Sequence, residues 1–446
     1  MKKGNIIAII TIILNSILLF IVSNIYIIKH TYNINISVIY TILFVIIISI
    51  FPSLFNKKLL SKKLSIVRDG YRLLIMFLIN IVLDVILYLN IIIRYVIDIK
   101  VLLINAGILT LILSIIFWCG IIRVYLFSKQ LGIRHRLLGL ILGLTPVAHL
   151  VMLVIIIKIC KNEVEFENDK IKLNMSREKD QVCKTKYPIL LVHGIFFRDF
   201  EKVNYWGRIP SELVKNGATI YYGNHSSSLA IKDSAEELAT RIKQIVKETG
   251  CKKVNVIAHS KGGLDTRFAI ANLGMDKYIA SLTMINTPNH GCLYADYLMT
   301  KAPKKIKNRI AKGYNFTLRK LGDKEPDFIA GVNDLTHPVV EELNKQMPSS
   351  PKVYYQAYGS VLNKATGSTL PLNLTGAFVK QFDGKNDGLV GIESFAIDKD
   401  FTLIETSNSR GLSHGDVIDL NRENIKGFDV REFYVQLVKD LKDKGY

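Results

Sequence analysis

The first 160 residues hold only three acidic side chains, Asp69, Asp84 and Asp98, against 16 Lys and Arg. There are five cysteines and no Cys-x-x-Cys, so neither a zinc site nor a dithiol redox motif is indicated. Three of them, Cys183, Cys251 and Cys292, lie in the later part of the chain, an odd count that argues against a disulfide framework. No small-x-small cleavage site follows the first apolar run, and its core is too long for a signal peptide, which points to a retained segment. There is no repeated half and no discontinuous-helix pattern of the transporter kind. With 49% apolar and 22% charged residues, the chain is neither disordered nor collagen-like. The apolar residues are too unevenly spread for a single soluble globule.

Five apolar stretches are long enough to span a bilayer: about 5–28, 34–55, 71–93, 101–122 and 137–160. The basic excess of the chain, a formal charge of +20, lies mostly between these stretches in the first part. It reads as a topology signal and not as a nucleic-acid footprint. Five crossings place Lys2, Lys3, Lys57, Lys58, Lys62, Lys63, Arg68, Arg72, Arg123, Lys129, Arg134 and Arg136 on one side, and Lys29, Arg94, Lys100, Lys158 and Lys161 on the other, 12 against 5. Positive-inside logic then predicts a multi-pass protein of the cell membrane with a cytoplasmic N-terminus and an extracytoplasmic C-terminal part. Asp84 falls mid-span, with Asn80 and His149 also in apolar surroundings; a bundle-locking pair of Asp84 with His149 is the expected reason.

Residues 1–160 therefore form a transmembrane region. Residues 161–186 are densely charged and look like a linker. From 187 to 446 short apolar runs alternate with helical periods. Strands are expected near 188–193, 218–223, 253–258, 279–285, 352–358 and 395–404. Helices are expected at 206–216, 233–249, about 263–273 and 428–443. Non-alternating apolar strands interleaved with helices imply a mostly parallel sheet covered on both faces. The alternation stops over 293–345, an insert rich in Lys and Arg.

The chemistry centres on Ser260, in Ala258-His259-Ser260-Lys261-Gly262-Gly263, between an apolar strand and a predicted helix. A sharp strand-to-helix turn lifts its tip side chain above a sheet and needs small residues two before and two after. A serine hydroxyl needs a base to take its proton, and in this architecture the chain order is Ser, acid, His. His414, in a loop before the last helix, is the candidate base; His193 and His259 are expected to support the site. The acid is sought in QFDGKNDGLVG, which offers Asp383 and Asp387. Asp387 is favoured because its Asn-Asp-Gly turn runs into Leu389-Val390. Two backbone donors for a developing oxyanion are expected at Ile195, after the first strand, and at Lys261, directly after the serine.

Together LLVHGIFF, AHSKGGLDTR, NTPNHG, NDGLV and the late His-x-Asp resemble bacterial triacylglycerol lipases of the α/β-hydrolase fold. The resemblance covers about 187–446. It implies a Ser–Asp–His triad at Ser260, Asp387 and His414, an oxyanion hole at Ile195 and Lys261, and a lid, for which 293–345 is placed. It implies a lipid or ester substrate, cleaved with no cofactor, and no nucleic-acid partner. Some members carry a structural calcium, one ligand of which matches Asp416; a second ligand some twenty residues before Asp387 is not evident in ATGSTLPLNL. The same triad would serve an acyltransferase or a phospholipase. A non-catalytic membrane transporter or sensor with a hydrolase-like domain is the rival from another class.

Overall fold

The computed structural model describes residues 3–32, 38–53, 59–94, 97–195, 204–226, 228–320, 326–364, 366–367, 372–397 and 400–446. Lys2, Lys57, Lys58, Phe196 and Phe197, used in the sequence reading, lie outside these. The chain divides into two compact units, 1–176 and 177–446.

The first unit is all helix. Among the described residues three helices, not five, are long and apolar enough to cross a membrane: Ile6–Ser23, Lys62–Arg94 and Ile99–Phe127. Of the second expected span the described residues hold the helix Val38–Ile50, which at 1.5 Å per residue reaches about 20 Å against a hydrocarbon core of about 30 Å. It nevertheless runs back along the bundle. Near its far end the Asn15 side chain donates to the Pro52 carbonyl, Arg72 to the Ser53 hydroxyl and Arg123 to the Ile50 carbonyl. At the opposite end Asn24 donates to Asp84 at 2.6 Å, and Asn105 Oδ1 accepts the Ile27 amide. The expected Asp84–His149 pair is not what forms: Asp84 is bonded to Asn24, and His149 sits edge-on to Phe117.

The fifth expected span, 137–160, is also not a single crossing. Helix Gly132–Leu142 ends before Thr145-Pro146, and a second helix, Pro146–Arg177, returns. Glu163 on the returning helix accepts from the Ser128 hydroxyl at 2.5 Å and the Lys129 amide at 2.8 Å. The chain thus comes back to the end of the bundle from which residue 128 departs. A linker read from charge density alone proves helical as far as Arg177. Residues 161–177 contain no Gly or Pro to interrupt that helix.

The second unit is built on six parallel strands: β1 Ile189–Val192, β2 Ile220–Tyr222, β3 Val254–His259, β4 Ile279–Ile285, β5 Tyr354–Ser360 and β6 Phe401–Ile404. Their order is β2-β1-β3-β4-β5-β6. Alternate side chains feed two cores. Leu190, Val192, Val256, Ala258, Leu282 and Met284 face helices Ile231–Thr249 and Lys261–Asn272. Ile189, Leu191, Ile257 and Ile285 face Trp206, helix Ile209–Lys215 and helix Val430–Asp443. The central strands are buried along their whole length, which is why they read as unbroken apolar runs. Among the described residues of the strand expected at 395–404, those at 401–404 are extended; 392–394, just before it, is a 3-10 turn. The described residues of the insert form four helices, Leu293–Thr300, Lys304–Lys320, Phe328–Asn333 and His337–Gln346.

Candidate active site

Ile195 and Ser260 follow the carboxyl ends of β1 and β3, where open α/β sheets place their chemistry. Ser260 is the junction between β3 and helix Lys261–Asn272 and has φ +56°. A non-glycine residue held there costs about 1–3 kcal/mol and is tolerated only when its surroundings fix it. They do: the Ser260 amide donates to the Ile285 carbonyl, and its carbonyl accepts the Gly263 amide. Crowding explains the small neighbours. A Cβ on Gly262 would collide with the His193 carbonyl oxygen, and one on Gly194 would stand 2.7 Å from the Ser260 Cβ. The loop after β1, which carries Ile195, is therefore packed directly on the serine. Neither the Ile195 nor the Lys261 amide has a hydrogen-bond acceptor among the described residues.

Asp387 and His414 come together. His414 Nδ1 lies 2.6 Å from Asp387 Oδ2, and the His414 amide donates to the Asp387 carbonyl. Asp387 is wholly buried, and its carboxylate is saturated. Oδ1 accepts the Leu389 and Val390 amides at 2.9 and 2.8 Å, and Oδ2 also accepts the Asn286 side chain at 2.5 Å. These contacts fix the direction of the carboxylate. Asp387 does not end a strand. It occupies a turn between helix Leu372–Asp383 and the 3-10 turn at 392–394, stitched to the end of β5 by the Leu362 amide on the Asn386 carbonyl. Asp383 does different work: its two oxygens accept the Leu293 and Tyr294 amides, at the start of the insert's first helix.

The His414 ring lies 4.4 Å, centroid to centroid, from that of His259, the residue before Ser260. No hydrogen bond joins Ser260 Oγ to His414 among the described residues. Catalytic contacts of this kind often close only around substrate. Burial and the neighbouring His414 hold His259 well below the usual imidazole pKa, hence neutral. Its Nδ1 lies 2.6 Å from the Tyr205 hydroxyl, which also accepts the Gly194 amide. Tyr205 thus ties the loop after β1 to the strand end at Ser260. Asn286 and Tyr205 have no distinguishing signal in the sequence; only the fold brings them here.

Asp416 does not fit a cation site. Its Oδ2 accepts the amide and hydroxyl of Ser413 at 2.8 and 2.7 Å, and its Oδ1 is bound by the Arg410 guanidinium, which also reaches Glu423. A calcium ion there would meet a fixed positive charge and a carboxylate already in use. Among the described residues no three His, Cys, Asp or Glu side chains group as a metal site.

No protein-family model matches the chain. It is similar to triacylglycerol lipases. Over 183 residues it is 31% identical to that of Pseudarthrobacter phenanthrenivorans, covering 38% of this chain and 57% of that protein. It is equally identical to that of Burkholderia plantarii, covering 51% of the relative. The chain thus spans about half the length of these bacterial relatives. It is 26% identical over 286 residues to triacylglycerol lipase 2 of Saccharomyces cerevisiae, covering 61% of this chain and 81% of that protein. Among solved structures, mature Bacillus licheniformis lipase BlEst2 aligns over 57% of this chain and 92% of its own, at 22% identity and a TM-score of 0.43.

Proposed function

We propose that the second unit is a serine hydrolase of the α/β-hydrolase fold that cleaves carboxylic esters of lipids, carried by a membrane-embedded N-terminal unit. The observation that carries this reading is the buried Asp387–His414 pair, set against His259 beside a serine whose backbone is held at positive φ. The 31% identity to triacylglycerol lipases supports the ester class.

In this mechanism Ser260 Oγ attacks the ester carbonyl while its proton passes to His414. The negative charge that develops on the carbonyl oxygen is met by the Ile195 and Lys261 amides. Asp387 holds the His414 ring by Nδ1 and stabilises the imidazolium. His414 then gives its proton to the departing alkoxide, and an alcohol leaves. Water, deprotonated by His414, attacks the acyl-enzyme; a carboxylic acid leaves and Ser260 recovers its proton. Arg410 takes the place of a calcium ion in fastening the His414 loop through Asp416. The helical insert acts as the lid over this site.

The first unit suggests the sidedness. If the chain re-emerges at Glu163 on the side of residue 128, then the N-terminus, Arg72, Arg123 and everything after Glu163 share the Lys/Arg-rich side. Positive-inside logic makes that side the cytoplasm. The five-crossing count, which took 137–160 as a full crossing, pointed outward.

The test is a fluorophosphonate probe, with a panel of p-nitrophenyl esters, triglycerides and phospholipids, on the purified full chain in detergent. Labelling lost in Ser260→Ala, together with ester turnover, is expected. Absence of both labelling and turnover in the parent protein would return the second unit to a non-catalytic role. Products trapped by an added alcohol would identify an acyltransferase instead.

A further inference from the structure

The mechanism above uses only the backbone of Lys261, yet its side chain is wholly buried. Lysine is almost never fully buried unless paired. Here Nζ donates to Asp265 Oδ1 at 2.7 Å and to the Ser234 hydroxyl at 2.9 Å. Asp265, equally buried, has its other oxygen 3.5 Å from His225 Nε2. The His225 ring stacks on that of His193 at 4.2 Å and 9°. His193 in turn precedes Gly194-Ile195, and its Nδ1 lies 3.0 Å from the Gly194 carbonyl oxygen. One line of buried side chains thus runs from residue 261 to the loop at 193–195. These are the two segments whose amides the proposed reaction needs at a fixed separation.

Such a line is costly to maintain. Two charges withdrawn from water are penalised by several kcal/mol each, and an apolar pair of the same volume packs as well. Packing alone therefore does not account for it. Geometry does: oxyanion donors act only when both stand about 2.7–3.1 Å from the developing charge. Charged hydrogen bonds fix direction in a way apolar contacts do not. We propose that Lys261, Asp265, His225 and His193 form a buried spacer that sets the distance and direction between the Ile195 and Lys261 amides. They are positioning residues for the oxyanion, and the proposal rests on the reading of Ser260 as nucleophile.

The experiment measures kcat, KM and Tm on the full chain with a short soluble ester. Lys261→Met and Asp265→Leu each leave a buried charge unpaired, so both Tm and kcat fall. The kcat loss is about 10- to 100-fold, with KM within about twofold, because the donors act on the transition state. The double variant Lys261→Met/Asp265→Leu removes both charges and recovers most of the Tm, while kcat stays low. Recovery of kcat together with Tm would reduce the pair to packing and overturn the proposal. Should the double variant not fold, His225→Phe keeps the ring stack and removes the ring nitrogens. A fall in kcat at constant KM is expected, and an unchanged kcat overturns the line at its middle. Ser260→Ala in the same assay separates the two ideas: retained turnover there would sink the nucleophile assignment, whatever the spacer variants do.

Discussion

At the scale of single residues, two aspartates four positions apart illustrate how environment assigns roles. Asp387 holds the His414 ring; Asp383 accepts two amides at the start of the insert's first helix. Asp387→Asn keeps the shape but loses the charge opposite His414, so kcat should fall roughly 10³–10⁴-fold. Asp383→Asn should cost no more than about tenfold, mainly through stability. A steady-state comparison on one ester decides it, and the reverse ranking would move the acid to Asp383. Arg410 offers a second check. Activity should be unaffected by EDTA, and Arg410→Gln should lower both Tm and kcat by freeing the His414 loop. A fall on chelation, restored by calcium, would contradict the guanidinium role. Asp265 gives a pH signature. Burial raises its carboxyl to about 6 in spite of Lys261. A carboxyl raised on folding stabilises the fold most below its unfolded value, about 3.9, and that contribution is lost as pH climbs through about 6. Wild-type Tm should therefore decline relative to Asp265→Asn between about pH 4 and 6, and then run parallel. A difference that stays constant over that window would show that Asp265 titrates elsewhere.

Among the elements, the helix Lys304–Lys320 of the insert mixes both characters a membrane surface attracts. Lys304, Lys305, Arg309, Lys312 and Arg319 are exposed, and so are Tyr314 and Phe316, while Ala311 is buried. Tyr314 also stacks on Phe328 of the next helix. Basic residues near an anionic bilayer contribute about 1 kcal/mol each. Changing Lys304, Lys305, Arg309 and Lys312 to Gln should slow hydrolysis of ester in anionic vesicles several-fold and leave a short soluble ester nearly unchanged. Equal loss on both substrates would make this helix structural, and no loss on either would remove the membrane contact. The elements also show what a sequence reveals. The strands β1, β3 and β4 were legible because burial on both faces leaves only apolar residues, and Ser260 because its turn forces small neighbours. The acid's element was not: Asp387 sits in a turn held by Leu362 and Asn286, contacts between segments far apart in the chain. The helical continuation through 161–177 was hidden because high charge looks the same in a coil and on a solvated helix. The return at Pro146 was hidden because an apolar run of 24 residues, 137–160, has the length of a crossing whether or not it makes one.

For the whole molecule the question is which face of the membrane receives the second unit. A protease added to intact spheroplasts should leave residues 187–446 uncut and degrade them only after lysis. Digestion without lysis would mean that the helix pair 132–177 does cross, and would restore the outward orientation. The side chosen bears on how the His414 loop is fastened. A metal-clipped loop depends on what its surroundings supply, and free calcium inside cells is scarce, as the affinities of intracellular calcium sensors, about 10⁻⁷–10⁻⁵ M, attest. A guanidinium is synthesised with the chain and cannot be diluted, chelated or competed away. If the second unit is a cytosolic hydrolase, as proposed, the Arg410–Asp416 contact frees it from the ionic composition of its compartment, so that calcium signals and starvation alike would leave its turnover constant.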